Sequence, residues 1–219
     1  MKLLILDTET TGLPKNRNSS IYSTDEWPNV IQISYIVIDT RLQDEDKYII
    51  TDKVNTYIKI TFPIPQDSIA IHGITDDILN TKGVDIIYAL NILNNTINEC
   101  DLIIGHNISF DKQLLIVENI RHNIISSFPK KPSFCTMKMY KQFCNIYITK
   151  NTKSYLKYPT LLELYQSIFN ETVANLHNSY VDVLICARCY FKLNYDVDLL
   201  KTDDDFINEY YKCISSPVS

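Results

Sequence analysis

The chain has 219 residues, enough for one substantial core and too few to make two large domains the expectation. With 45% hydrophobic residues, 21% charged residues and a net charge of −5, its composition is that of a globular protein, which excludes a disordered or fibrous chain. No apolar run approaches the roughly eighteen residues of a membrane span, and the opening MKLLILDTET meets an acid after four apolar residues. The chain therefore reads as soluble, without a signal peptide, and cytoplasmic.

Lys2 to Asp7 is predicted as a first strand, and NVIQISYIVID (29 to 39) as a second with alternating apolar residues. A third is expected around 54 to 60, with the acidic stretch RLQDEDK as the solvated hairpin connection between the two. PIPQDSIAIHGIT leads into an amphipathic helix near 84 to 98. CDLIIGHN then reads as a short buried strand ending at Gly105, and SFDKQLLIVENI as the helix after it. Beyond Arg121 the pattern is mostly helical, near 136 to 145, 160 to 169, 180 to 193 and 203 to 213. Strands first, then strand and helix in alternation, predict an α/β sheet with an antiparallel start.

The six cysteines are expected as free thiols. Cys186 and Cys189 form a CxxC inside a predicted helix, with no second pair to complete a tetrahedral zinc site, and read as two small apolar residues.

Charge is unevenly placed. Between Asn119 and Leu162 there is no Asp or Glu, while eight of the 21 basic residues lie there: Arg121, Lys130, Lys131, Lys138, Lys141, Lys150, Lys153 and Lys157. The other 13 basic residues face all 26 acids. Phe134, Tyr140, Phe143, Tyr147, Tyr155 and Tyr158 are interleaved with the lysines. Cations that neutralise phosphates and rings that stack on bases are what a single-strand surface requires, although a solvated face with aromatics in the core gives the same pattern.

Residues two apart on a strand share a face, so Asp7 and Glu9 end the first strand as paired carboxylates. Such a pair needs a proton or a cation between its members, and hard divalent ions take oxygen ligands of this kind. Asp111 falls in the first turn of a helix after a short strand, where ligands approach an α/β sheet. Asp182 opens another helix, with His177 five residues earlier. Singly, either acid reads as compensation of the helix dipole.

In order these are D-x-E, H-N-x-x-F-D and H-x-x-x-x-D, carried by DTETTGLP, IHGIT, HNISFD and LHNSYVD. The set resembles the DEDD superfamily of 3′-to-5′ exonucleases in its histidine-containing branch, DEDDh, and above all the DnaQ-like proofreading exonucleases. The resemblance covers about residues 1 to 193. It implies a ribonuclease H-like fold: a mixed five-stranded sheet, antiparallel at its start and then parallel, flanked by helices. Residues 1–193 would be the exonuclease domain and 194–219 a C-terminal helical tail packed on it.

The resemblance also implies roles. Asp7, Glu9, Asp111 and Asp182 would hold two divalent ions, Mg²⁺ with Mn²⁺ able to replace it, and His177 would be the general base that takes a proton from the attacking water. Thr8, Thr10, Leu13, His72, Asn107 and Phe110 would bind the terminal nucleotide, Leu13 as a wedge between bases and Phe110 as a stacking ring; as core residues or a turn brace, Leu13, Phe110 and His72 have ordinary alternatives. Nucleoside 5′-monophosphates would leave from a 3′ end, expected to be single-stranded DNA in proofreading or repair. Degradation of short or 3′-terminal RNA is the alternative, and a non-catalytic nucleic-acid scaffold the weaker one. A polymerase or other replication protein is the partner this implies, no membrane is expected, and the oligomeric state stays open. Two departures stand out: residues 15 to 28 lengthen the connection after the first strand, and Cys135 replaces an acid the family often carries before a threonine.

Overall fold

The computed structural model describes residues 1–44, 47–173 and 176–214. Its sheet is built on β1 (Lys2–Thr10), which pairs antiparallel with β2 (Val30–Asp44) and parallel with β4 (Leu102–Gly105). β3 (Lys47–Tyr57) extends β2 on one side and β5 (Ser133–Cys135) extends β4 on the other, in the order β3-β2-β1-β4-β5. This is the ribonuclease H-like mixed sheet that the motifs implied.

β1 is apolar because both of its faces are covered. Leu3 and Ile5 point to one side and Leu4 and Leu6 to the other, and all four are buried. The Leu4 side packs on α3 (Ile86–Glu99) and α4 (Ser109–Arg121), with Leu90, Leu93, Leu114 and Leu115 in one cluster. The Leu3 side packs on α7 (Leu161–Phe169), α8 (Ser179–Tyr195) and α10 (Asp204–Ile214). Each such aliphatic side chain contributes about 1.5–3 kcal/mol on burial. Asp7 and Glu9 continue the Leu3 row, so they face the start of α8; Thr8 continues the Leu4 row and faces the start of α4.

Several elements differ from the sequence expectation. The third strand begins at Lys47, seven residues earlier than predicted, and β2 runs into the acidic stretch as far as Asp44; Glu45 and Asp46 of the expected hairpin connection lie outside the described residues. PIPQDSIAIHGIT contributes α1 (Gln66–His72), and α2 (Asp76–Lys82) follows with Thr75 capping it. Two turns of helix are too short for a clear apolar period. The helix expected over 136 to 145 is two short pieces, α5 (Thr136–Met139) and α6 (Lys141–Cys144), interrupted at Tyr140 and ended by Asn145 at φ 51°. Between α6 and α7 the chain forms an unpredicted hairpin, β6 (Tyr147–Lys150) and β7 (Lys153–Leu156).

The chain after α8 is tied into the core. α9 (Leu199–Thr202) and α10 bury Leu199, Phe206 and Tyr210. Buried Arg188 of α8 reaches Asp198 with Nε at 2.8 Å and Nη2 at 3.0 Å, and its guanidinium lies 3.8 Å from the centroid of the Phe169 ring. Cys186 and Cys189 are buried free thiols in α8. Among the described residues no helix is long and apolar enough to cross a membrane.

Candidate active site

The carboxyl end of β1 and the first turns of α4 and α8 meet at one end of the sheet. Asp7, Glu9 and Asp182 each offer a carboxylate oxygen, and these three atoms lie within 4.8 Å of one another. Asp111 completes the group from the other side of β1. Its Oδ1 accepts the Thr8 backbone N–H at 3.2 Å and the Thr8 hydroxyl at 2.7 Å. Gly105, which ends β4 just before the HNISFD turn, has no room for a side chain: a Cβ there would stand 2.8 Å from the Leu6 carbonyl oxygen.

Burial pushes all four carboxyls up, and repulsion from neighbouring carboxylates adds to it at Asp7, Glu9 and Asp182. Asp7 is raised well above the usual range, first by burial and then by the charges of Asp111, Asp182 and Glu9. Burial raises Glu9 as well, with Asp182 and Asp111 adding to it. Asp111 is raised by burial against the opposing hydrogen bonds from Thr8. Asp182 is raised by burial, partly offset by the His177 backbone, with Asp111 contributing further. Four acids so placed titrate as a cluster.

Divalent cations fit this donor set. The ligands are all hard carboxylate oxygens. The two buried side-chain polar atoms without a hydrogen-bond partner among the described residues are Asp182 Oδ1 and His72 Nε2, and both belong to the predicted site. A buried oxygen left unpaired carries a desolvation cost that a cation would offset.

The remaining predicted residues are distributed around the acids. His177 is exposed in the loop two residues before α8, with φ 71°. His72 ends α1; its Nδ1 accepts the Ile74 backbone N–H at 3.0 Å, which leaves the proton on Nε2. Burial lowers its pKa, the Thr10 backbone opposes that without reaching hydrogen-bond geometry to Nε2, and the His177 charge adds to the lowering. Thr10 hydroxyl donates to the Gly12 carbonyl at 2.6 Å, shaping the turn in which Leu13 stands 82% exposed. Asn107 is exposed at φ 64° ahead of α4. The Phe110 ring stacks on Trp27, with centroids 6.4 Å apart and planes 30° from parallel.

Three supports were absent from the sequence reading. Gln32 and Ser34 sit opposite Glu9 and Asp7 in the β1–β2 register. Ser34 and Ser179 hydroxyls are 2.6 Å apart, and the Ser179 N–H reaches Gln32 Oε1 at 3.4 Å, fastening the start of α8 to β2. Two polar residues at inward positions of an apolar alternation were the available signal. His106 bridges Thr136 Oγ1 and the Pro159 carbonyl, each at 3.0 Å. Arg121 donates to the carbonyls of Thr24, Trp27 and Pro28, holding the 15-to-28 segment and with it the ring that backs Phe110.

A family model described as Exonuclease, of the RNase T type, matches residues 4–190 and so contains all five of Asp7, Glu9, Asp111, His177 and Asp182. The chain belongs to the exonuclease family. Within it, the ordered motifs place the chain in the DEDDh branch of the ribonuclease H-like superfamily. Over 110 residues, half of its length, this exonuclease-family chain is 36% identical to the DNA polymerase III subunit epsilon of Buchnera aphidicola subsp. Schizaphis graminum (strain Sg), covering 42% of that protein. Its fold matches E. coli exonuclease I in a zinc-bound complex with single-stranded DNA, at TM-score 0.64 and 16% identity over 90% of this chain and 42% of the other. The same enzyme with a dT13 oligonucleotide matches at TM-score 0.64 and 14% identity, over 96% and 43%. The chain spans less than half the length of these relatives.

Proposed function

We propose that the chain is a divalent-cation-dependent 3′-to-5′ exonuclease that releases nucleoside 5′-monophosphates from the 3′ end of DNA, with single strands as substrate and proofreading or repair as its setting. The observation that carries this reading is the convergence of the Asp7, Glu9 and Asp182 carboxylates, close enough to Asp111 to feel its charge, with Asp182 Oδ1 buried and unpaired among the described residues. Asp7, Glu9, Asp111 and Asp182 would hold two ions, Mg²⁺ or Mn²⁺ in its place. Bound there, such ions would activate a water and stabilise the charge that develops in displacement at phosphorus.

The chain's own groups supply the rest. His177, open to solvent beside the acids, would take the proton of the attacking water. His72 Nε2–H, buried without a partner, would donate to the terminal nucleotide. Phe110, fixed by Trp27, would stack on its base, and exposed Leu13 would part it from the next one. Thr10 and Asn107 would line its sugar, and Thr8 would act through Asp111. We propose residues 1–193 as the exonuclease domain and 194–219 as its closing tail, a division that the burial of Leu199 and Phe206 supports. The polymerase subunit among the relatives supports a polymerase as partner.

The test is to give the protein 3′-labelled and 5′-labelled DNA and RNA oligomers, with Mg²⁺ and with chelator. Release of the 3′ label first, from DNA and only with the cation, is expected. Faster release from RNA would transfer the activity to an exoribonuclease, and no release with either would overturn the proposal.

A further inference from the structure

The β6–β7 hairpin takes no part in the site described above. Among the described residues it pairs only with itself, and all of its strand residues except Leu156 are exposed. A two-stranded hairpin wet on both faces gains little stability from its own burial. Two features weaken it further. Lys150 and Lys153 are direct cross-strand partners, so two like charges face one another beside the turn. In that turn Asn151 and Thr152 have φ of 46° and 70°, the second a β-branched residue in the left-handed region.

What this arrangement presents is one charged and aromatic face. Ile148 and Tyr155 are cross-strand partners next to the lysine pair, and these four side chains line an open pocket of about 600 Å³. Among the described residues neither lysine has an ion pair, whereas Lys157 at the base of the hairpin is paired with Glu163 at 2.6 Å. The hairpin is joined to the carboxylate end of the sheet. Its base closes where the Lys157 N–H meets the Ile146 carbonyl, and the Pro159 carbonyl just beyond is held by His106, next to Asn107. Basic groups fill the interval: Lys138 Nζ lies 3.4 Å from Ser109 Oγ, beside Phe110, and Lys141 Nζ stands 4.2 Å from the centroid of the Tyr158 ring.

We propose that this hairpin face is a second contact for a single nucleic acid strand, holding a phosphate between Lys150 and Lys153 and a base against Tyr155, several nucleotides from the end that the carboxylates grip. The inference rests on the exonuclease reading for its substrate. An anionic strand is the occupant because a phosphate relieves the repulsion of the paired lysines, and because every base offers a face to a tyrosine ring.

The experiment measures binding by the full chain of labelled oligo-dT of about four and about fifteen nucleotides, with chelator present so that nothing is cut. Lys150→Ala with Lys153→Ala should weaken binding of the longer oligomer roughly tenfold and flatten the salt dependence by roughly 0.7 in slope, the share of one single-strand phosphate. Tyr155→Ala should cost roughly tenfold as well. Affinity for the short oligomer and its rate of hydrolysis with Mg²⁺ should not change, and the melting temperature of the lysine variant should hold or rise. Unchanged affinity for the longer oligomer, or equal losses at both lengths, would overturn the inference. Hairpin-dependent binding without hydrolysis would strike only the exonuclease reading, whereas hydrolysis with hairpin-independent binding would strike only this one.

Discussion

Thr8 gives both of its donors to a single oxygen of Asp111, the backbone N–H at 3.2 Å and the hydroxyl at 2.7 Å, across 103 residues of chain. The pair locks the first turn of α4 to β1 and leaves the other Asp111 oxygen for the cluster. Thr8→Val keeps the shape and removes the hydroxyl. Loss of such a support around ligating groups costs roughly 10–100-fold in metal affinity or activity. Titrating hydrolysis with Mg²⁺ should show half-maximal rate at a correspondingly higher concentration; an unchanged requirement would contradict the supporting role.

Four crowded carboxyls with raised pKa values destabilise the chain wherever they are ionised. Asp182→Asn removes one charge and should raise the melting temperature without divalent cation, by roughly 2–4 °C for each kcal/mol of repulsion relieved. Hydrolysis should fall by orders of magnitude in the same variant. Mg²⁺ should raise the melting temperature of the unmodified protein more than that of the variant, which calorimetry with and without the ion would measure.

His106 is held neutral. Burial lowers its pKa to about 4, against the hydrogen bond to the Pro159 carbonyl. The unfolded chain takes up a proton on this ring below about 6.5, and the folded chain does so only near 4, so its contribution is present above the upper value and is lost as pH falls through that window. The loss amounts to about 3 kcal/mol at most. Urea melts from pH 7 to pH 4 should show it, and His106→Gln should flatten the dependence.

Leu13 is almost fully exposed, so Leu13→Ala should leave stability within about 0.5 kcal/mol. A wedge between terminal bases predicts a different outcome for activity, a several-fold higher KM on oligonucleotides. Thermal melts and steady-state kinetics on one preparation separate the two readings, and an unaltered KM would remove Leu13 from the site.

Much of the site was visible in the chain because it is written in short-range spacing. Asp7 and Glu9 had to share a face once β1 was a strand, and the apolar run before them announced a strand covered on both sides. The placing of Asp111, His177 and Asp182 beside them came from the resemblance of ordered motifs, since each alone looked like an ordinary helix start. The β6–β7 hairpin is not legible in the sequence for a physical reason: exposed on both faces, it carries no apolar alternation. Arg121 differs from its sequence expectation for another. It looked like one more cation of a basic segment, yet its guanidinium is spent on Glu118 and on the carbonyls of residues 24 to 28.

Backbone periodicity is local, and so the strand character of residues 2 to 7, the paired acids and the charge imbalance after Asn119 were properties of the string of residues itself. Partnership across the chain is not local. Ser34 meets Ser179 across 145 residues, and Thr8 meets Asp111 across 103, because the sheet order β3-β2-β1-β4-β5 lays one face of β1 under α8 and the other under α4. That packing turned a strand ending in two acids into a partly buried carboxylate cluster with Asp182 and, beside it, Asp111, since burial and proximity, which no spacing encodes, raise the proton affinities of Asp7 and Asp182 together and leave Asp182 Oδ1 without a partner among the described residues.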